Sequence, residues 1–98
     1  MGISLAPDIL TQDEVNIIIM PALNAARGLG RELATLPAEN GWDQSTFFDH
    51  DAADFILAFA LNEAKAWAKA NQRFYNNEKL EDAITLALTL AYSEGFLA

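Results

Sequence analysis

The residues best suited to chemistry lie in one short acidic stretch around the only histidine of the 98-residue chain. His50 stands between Asp49 and Asp51, and Asp54 follows four residues later. On a helix, His50 and Asp54 would share a face and could both contact one metal ion. One imidazole and one carboxylate do not complete a tetrahedral site, and the sequence has neither an HExxH arrangement nor a second histidine. We therefore expect no metal site and no cofactor.

Glu63 is the other residue whose position suggests acid or base chemistry. Helical spacing places it on the predicted core face of a helix, one turn from Phe59 and one turn from Trp67. A carboxylate there needs either a proton or a cation partner such as Arg27 or Arg31. The sequence offers no second titratable group and no pocket to go with it. We expect no catalytic residue, and an enzyme that uses Glu63 or the histidine is the least favoured function.

The chain is strongly acidic. It has 14 acidic and 6 basic residues, which give a formal net charge of −8. Nucleic acid and anionic membranes would be repelled, so neither is expected as a direct partner. Four of the acids fall in a stretch without Lys or Arg: Asp43, Asp49, Asp51 and Asp54. Two interpretations stay open, because such a cluster is either a solvated helix cap or a surface that imitates nucleic-acid phosphates.

Composition excludes several kinds of protein. Without cysteine, the chain has no disulfide, no thiol nucleophile and no Cys-based metal site. Hydrophobic residues make up 52% of the sequence, which argues against a disordered chain. The longest apolar run, residues 55–61, is too short to cross a bilayer, and the first residues do not resemble a secretory signal. We expect a soluble cytoplasmic protein with a single domain, residues 1–98.

The first predicted helix spans residues 12–36 and follows an irregular segment, residues 1–10. Thr11 and Glu14 have the spacing of a capping box, with Thr11 as the N-cap. Apolar residues then recur every three or four positions, as in a helix with one buried face: Val15, Ile19, Ala22, Ala26, Leu29, Leu33 and Leu36. Small residues spaced by four permit a close helix crossing: Ala22, Ala26 and Gly30. Pro21 lacks a backbone N–H, so we expect a kink near it.

Two further helices complete the predicted fold. The second spans residues 44–74 and is capped by Asp43 or by Thr46. The third spans residues 78–94, after a turn and an N-cap supplied by Asn76-Asn77 and before a terminating glycine. Because the loops are short, consecutive helices should be antiparallel neighbours. The predicted fold class is therefore all-α, as an antiparallel three-helix bundle.

The predicted helices carry more apolar surface than their neighbours can cover. The second helix is apolar on every side over residues 55–61 and is therefore expected at the centre of the bundle. The third helix has a wide apolar arc, of which a patch centred on Leu86 and Leu90 is expected to stay accessible. Ile17 and Met20 project from the polar face of the first helix and form a second candidate. The alternatives are that the bundle buries the arc and that the N-terminal segment covers Ile17 and Met20.

These patterns favour a non-enzymatic, acidic, helical interaction module of the inhibitor, antitoxin or adaptor type. The residues expected to bind a partner are of two kinds, apolar and acidic: Ile17, Met20, Leu86 and Leu90, and Asp43, Asp49, Asp51 and Asp54. The expected partners are another protein, favoured if basic, and a second copy of the chain in a homodimer. The alternative function is an inhibitor that imitates nucleic acid and blocks a nucleic-acid-binding protein.

Overall fold

The computed structural model describes residues 9–98, which are helical apart from their connections. The α-helices are α1 (Gln12–Ile18), α2 (Met20–Leu33), α3 (Asp51–Ala70) and α4 (Asn77–Leu97), with 3-10 turns at Ala38–Asn40 and Phe47–Asp49. The described residues form no strand, and the all-α class is confirmed. The helix count is a correction, since residues 9–98 contain four helices where three were predicted. Helices α1 and α2 are the two parts of the first predicted helix.

The break between α1 and α2 follows from the local sequence. Thr11 caps α1 as predicted: its side chain accepts from the N–H of Glu14, and the Glu14 carboxylate accepts from the N–H of Thr11. The helix is interrupted at Ile19, and Pro21 lies in the first turn of α2. Proline has no N–H to donate to the preceding turn but is well accommodated in a first turn. The predicted distortion near Pro21 is thus a boundary between two helices.

The predicted start and end of the second helix were wrong. Helix α3 begins at Asp51 rather than at residue 44, and its N-cap is His50, without a side-chain cap bond. Asp43 and Thr46 therefore do not cap it. The helix ends at Ala70 because Gln72 has a positive φ of 55°, a left-handed conformation that no helix continues through.

Helix α4 begins at Asn77, one residue before the predicted start, and ends later than predicted. Asn76 is its N-cap and accepts from the N–H of Lys79. The predicted stop at Gly95 was wrong, since α4 continues to Leu97. Gly95 serves packing instead, because a Cβ at this position would collide with the carbonyl oxygen of Arg27 in α2. This requirement for a small residue outweighs the usual role of glycine as a helix stop.

The closest helix contact in the fold is between α2 and α4. Ala22 and Ala26 are fully buried in it, as their spacing predicted. A Cβ at Gly30 would collide with the carbonyl oxygen of Tyr92, so the two backbones touch directly at this point. The core lies beside this crossing and contains the largest fully buried side chains: Tyr92, Phe47, Ile19, Ile84 and Leu88.

Helix α4 is the central helix, which corrects the prediction that the second helix would be surrounded. Each of the four helices contacts the other three, but α4 has the most buried residues and packs extensively on α2, whereas the contacts of α3 are sparse. The fully buried residues of α3 are all alanines: Ala53, Ala60, Ala64 and Ala68. Phe55 and Phe59 point away from them and are 77% and 45% exposed. Because α3 is apolar on all sides over residues 55–61, its hydrophobicity did not indicate which side faces the core. The positions of its small residues do indicate it, since the alanines lie on the buried side.

The N-terminal end of the described chain is attached to the connection between α3 and α4. Ile9 forms an isolated parallel bridge with Phe74, and the N–H of Leu10 donates to the Phe74 carbonyl over 3.1 Å. The rest of the predicted irregular segment lies outside the described residues. The alternative that this segment covers Ile17 and Met20 therefore concerns mostly residues outside the described range. Within residues 9–98, no helix has the length and apolar character needed to cross a membrane.

Candidate functional site

An exposed apolar stripe runs along α4. Leu86 and Leu90 are one turn apart and are 56% and 55% exposed. Leu97 continues the stripe at the end of the helix, and Ala83 begins it as a half-buried residue. The buried residues of α4, such as Ile84 and Leu88, lie on the other side. Part of the predicted apolar arc is therefore exposed in the single chain, and we call these four residues the α4 stripe.

A shallow groove connects the α4 stripe to the first two helices. Its volume is about 200 Å³, and its lining comes from both sides: Asn16, Leu23, Arg27, Ala87, Leu90, Ala91 and Glu94. At one end an ion pair bridges α2 and α4, with Nη2 of Arg27 3.1 Å from Oε1 of Glu94. Arg27 thus pairs with Glu94 and does not serve as a partner for Glu63.

Ile17 and Met20 flank the break between α1 and α2 and are 70% and 45% exposed. Met20 is one turn from Asn16 and one turn from Leu23, both of which line the groove. Met20 therefore borders the same surface as Leu90. Ile17 projects further round the helix, directly away from the buried residues Val15 and Ile19. Of the four predicted apolar residues, Leu90 lines the groove, and helical spacing places Leu86 and Met20 beside it and Ile17 at its edge.

A larger pocket, which the sequence analysis missed, lies at the other end of α4. Its volume is about 380 Å³, and it is lined mainly by the N-terminal strand-like segment, α1 and the start of α4: Ile9, Leu10, Thr11, Gln12, Val15, Phe74, Tyr75, Asn76, Lys79, Leu80 and Ala83. The only sequence signal for it is the apolar pair Phe74-Tyr75 in a turn between two helices. The pocket forms because Ile9 bridges to Phe74, a pairing between distant residues.

An ion pair between Arg73 and Glu14 holds two residues that line this pocket, Ile9 and Thr11. Nη2 of Arg73 lies 2.7 Å from Oε1 of Glu14 and 2.9 Å from the carbonyl oxygen of Ile9. The hydrogen bond from Arg73, with help from the N–H of Thr11, lowers the pKa of Glu14 from 4.5 to about 2. The guanidinium of Arg73 also lies over the Trp67 ring, 5.8 Å from its centroid. This arrangement ties α1 to the end of α3.

His50 belongs to a chain of polar groups that attaches the 43–50 loop to α4. The Thr46 hydroxyl donates to the Asp43 carbonyl over 2.7 Å, so the Tyr92 hydroxyl must donate to Thr46 Oγ1, 2.9 Å away. With that hydrogen used, the Tyr92 oxygen can only accept from His50 Nε2, at 3.4 Å. The His50 ring also packs on Trp42, with centroids 4.2 Å apart. These contacts give His50 a structural role.

The four predicted acidic residues are all exposed, and none forms an ion pair within residues 9–98. Asp51 and Asp54 lie in the first turn of α3, where the helix dipole favours carboxylates. Asp43 lies in the preceding loop, where hydrogen bonds from the hydroxyl and the N–H of Ser45 lower its pKa. The described residues contain no group of three or more His, Asp or Glu side chains that would hold a metal ion.

The predicted core position of Glu63 was wrong. Glu63 is exposed on α3, as is its predicted neighbour Phe59. The buried stripe of α3 passes through Ala60 and Ala64 instead, and Glu63 lies at its outer margin. A carboxylate in water needs no buried cation, so no unusual chemistry is required of it.

No known protein family, curated protein or solved structure matches this chain. The function therefore rests on the chemistry of its own surface.

Proposed function

We propose that this protein is a non-enzymatic, acidic helical module of the inhibitor, antitoxin or adaptor type, which binds another protein and also self-associates. The observation that carries the proposal is the exposed α4 stripe beside Met20. Leu86 and Leu90 each leave more than half of the side chain in water. Covering that part on a partner would contribute about 1 kcal/mol per leucine. A cytoplasmic location agrees with the lack of cysteine and the acidic surface.

The shape of the surface suits a helix or a loop of a partner protein. The groove beside Leu90 is shallow and apolar at its centre, and Arg27 and Glu94 stand at one end. An apolar centre with a charged rim is the usual composition of a protein interface. Met20 adds a flexible side chain, which adapts to the shape of its partner.

The proposal is tested by capture from the native host with the whole chain as bait. Leu86→Ser and Leu90→Ser together should weaken binding of the captured protein by about thirtyfold, because they remove about 2 kcal/mol of apolar contact. Leu36→Ser is the matched control, since Leu36 is an exposed leucine away from the groove. Equal recovery with both variants would show that the α4 stripe is not the binding surface.

The second candidate is an inhibitor that imitates nucleic acid, and the exposed acidic cluster favours it. Asp49, Asp51 and Asp54 have no cation partner within residues 9–98, so their charge is available to a basic protein. Changing the three to Asn should then abolish capture of a nucleic-acid-binding protein, and capture should weaken steeply with salt. Capture that survives these changes would exclude this candidate and leave the α4 stripe as the explanation.

A further inference from the structure

The outer face of α3 has the residue spacing of a helix that packs against another helix. Six residues follow one another at intervals of three and four along it: Ala52, Phe55, Phe59, Asn62, Ala66 and Lys69. All six are exposed, and we call them the outer seam. Alternating intervals of three and four are the pattern of a two-helix contact. The seam extends about 25 Å at 1.5 Å per residue.

The outer seam has no partner among the described residues. The opposite face of α3 packs on the rest of the molecule through its buried alanines, with Ile56, Leu57 and Leu61 half-buried beside them. Phe55 is the most exposed of the large apolar side chains in residues 9–98, and Phe59 lies one turn further along the same face. Two neighbouring aromatic rings in water are the usual anchors of an interface.

The charges beside the outer seam match those of a second copy of α3. Asp51 and Lys65 are both exposed and lie two heptads apart, on the same side of the seam. A copy of α3 turned end to end about a point between Phe55 and Phe59 would bring the Asp51 of each chain near the Lys65 of the other. Asp51 lies about 9 Å and Lys65 about 12 Å from that point along the axis. The long lysine stem covers the difference.

We propose that a second copy of this chain packs antiparallel on the outer seam, with Phe55 and Phe59 at its centre and Asp51–Lys65 pairs at both ends. This dimer rests on the proposed function, which includes self-association, and assigns it to α3, separate from the α4 stripe. A parallel pair would leave Asp51 and Lys65 two heptads apart, without mutual attraction. A purely basic partner would meet Lys65 and Lys69 at the far end of the seam and be repelled there.

The dimer is small and should be reversible. One helix face on each side falls at the low end of specific interface sizes, where complexes are transient. The net charge of −8 on each copy opposes association, and the local pairs offset part of this repulsion. Sedimentation equilibrium of the whole chain from micromolar to millimolar concentration should show a monomer–dimer equilibrium. A monomer throughout that range would overturn the proposal.

Charge exchange tests the antiparallel arrangement directly. Asp51→Lys alone and Lys65→Asp alone should each weaken the dimer by about tenfold, because each creates two repulsive pairs. An equimolar mixture of the two variants should recover wild-type association, since the heterodimer has attractive pairs at both ends. A mixture that associates no better than its components would overturn the arrangement, whereas a merely structural role of either residue predicts no recovery.

Aromatic variants separate the seam from the rest of the surface. Phe55→Ser with Phe59→Ser should abolish the dimer at all accessible concentrations and leave the circular dichroism of the helices unchanged. Phe74→Ser is the matched control, since Phe74 is similarly exposed but lies outside the seam. A dimer that persists without Phe55 and Phe59 would overturn the inference.

The two proposals fail separately. Capture of a foreign protein through Leu86 and Leu90 by a chain that stays monomeric would retain the binding function and overturn the α3 dimer. A dimer that is lost on substitution of Phe55, without any capture that depends on Leu86 and Leu90, would retain the α3 dimer and overturn binding of another protein through the α4 stripe.

Discussion

Helices α2 and α3 both pack on α4, but they do so in opposite ways. Helix α2 crosses α4 so closely that backbone meets backbone at Gly30 and Gly95, and large side chains fill the space beside the crossing. The fully buried residues of α3 are alanines, flanked by half-buried Ile56, Leu57 and Leu61, and its phenylalanines face outward. Both helices are rich in apolar residues, so composition does not distinguish them. The difference lies in which side of each helix carries the small residues, because small residues determine where backbones approach.

The largest expected effect compares a phenylalanine of the core with one of the outer seam. Phe47 is fully buried and its ring lies 5.4 Å from that of Tyr92. Phe47→Ala should lower the free energy of unfolding by about 3–5 kcal/mol, because it leaves a cavity. Phe55→Ala should change it by no more than about 0.5 kcal/mol, since the ring is in water. Urea unfolding followed by circular dichroism measures both, and similar losses for the two would contradict the assignment of the faces.

The next effect compares Gly95, which lies in the contact between α2 and α4, with Gly28, an exposed glycine of α2. Gly95→Ala should destabilise the protein by about 1–3 kcal/mol, because its methyl group meets the Arg27 carbonyl. Gly28→Ala should instead stabilise it by about 0.5–1 kcal/mol, since nothing lies within 4 Å of that Cβ and alanine favours the helix. The midpoints of urea unfolding check the sign. Stabilisation by both changes would show that α2 and α4 do not touch at Gly95.

A smaller effect concerns the polar chain that holds the 43–50 loop against α4. Tyr92→Phe removes the donor to Thr46 and the acceptor for His50. We expect a loss of about 1–2 kcal/mol in unfolding free energy, the usual consequence of unsatisfied buried polar groups. The matched control is Tyr75→Phe, since Tyr75 is exposed and should not respond. Equal stability of the two variants would show that the loop is held by ring packing alone.

The smallest effect is a pH dependence at the contact between α1 and the end of α3. The folded pKa of Glu14, about 2, lies below its ordinary value of 4.5. The stabilisation is therefore fully present above pH 4.5 and is lost as the pH falls from 4.5 towards 2. The stability difference between the wild type and Glu14→Gln should shrink over that interval. A difference that stays constant with pH would mean that Arg73 does not favour the charged carboxylate.

Much of the local structure was predictable, and the candidate site was predictable only in part. The cap at Thr11, the cap within Asn76-Asn77 and the distortion at Pro21 depend on residues within one turn, so local spacing sufficed to predict them. The exposure expected for Leu86 and Leu90 followed from counting apolar surface. The burial of Glu63 was wrongly predicted, because α3 is apolar on several sides and its pattern alone did not show which side was inside.

The sequence by itself determined the helical class, the acidic charge, the absence of cysteine chemistry and the start of α1 at its capping box, because these depend on composition or on neighbours three or four residues apart. Tertiary structure decided which helix is central, which face of α3 meets water, and that Arg73 reaches Glu14 across 59 residues of sequence. Those outcomes depend on how closely backbones approach one another. Steric contact at glycines and alanines determines the distance between the helix backbones. The spacing of residues within one helix does not indicate where such a contact with another helix occurs.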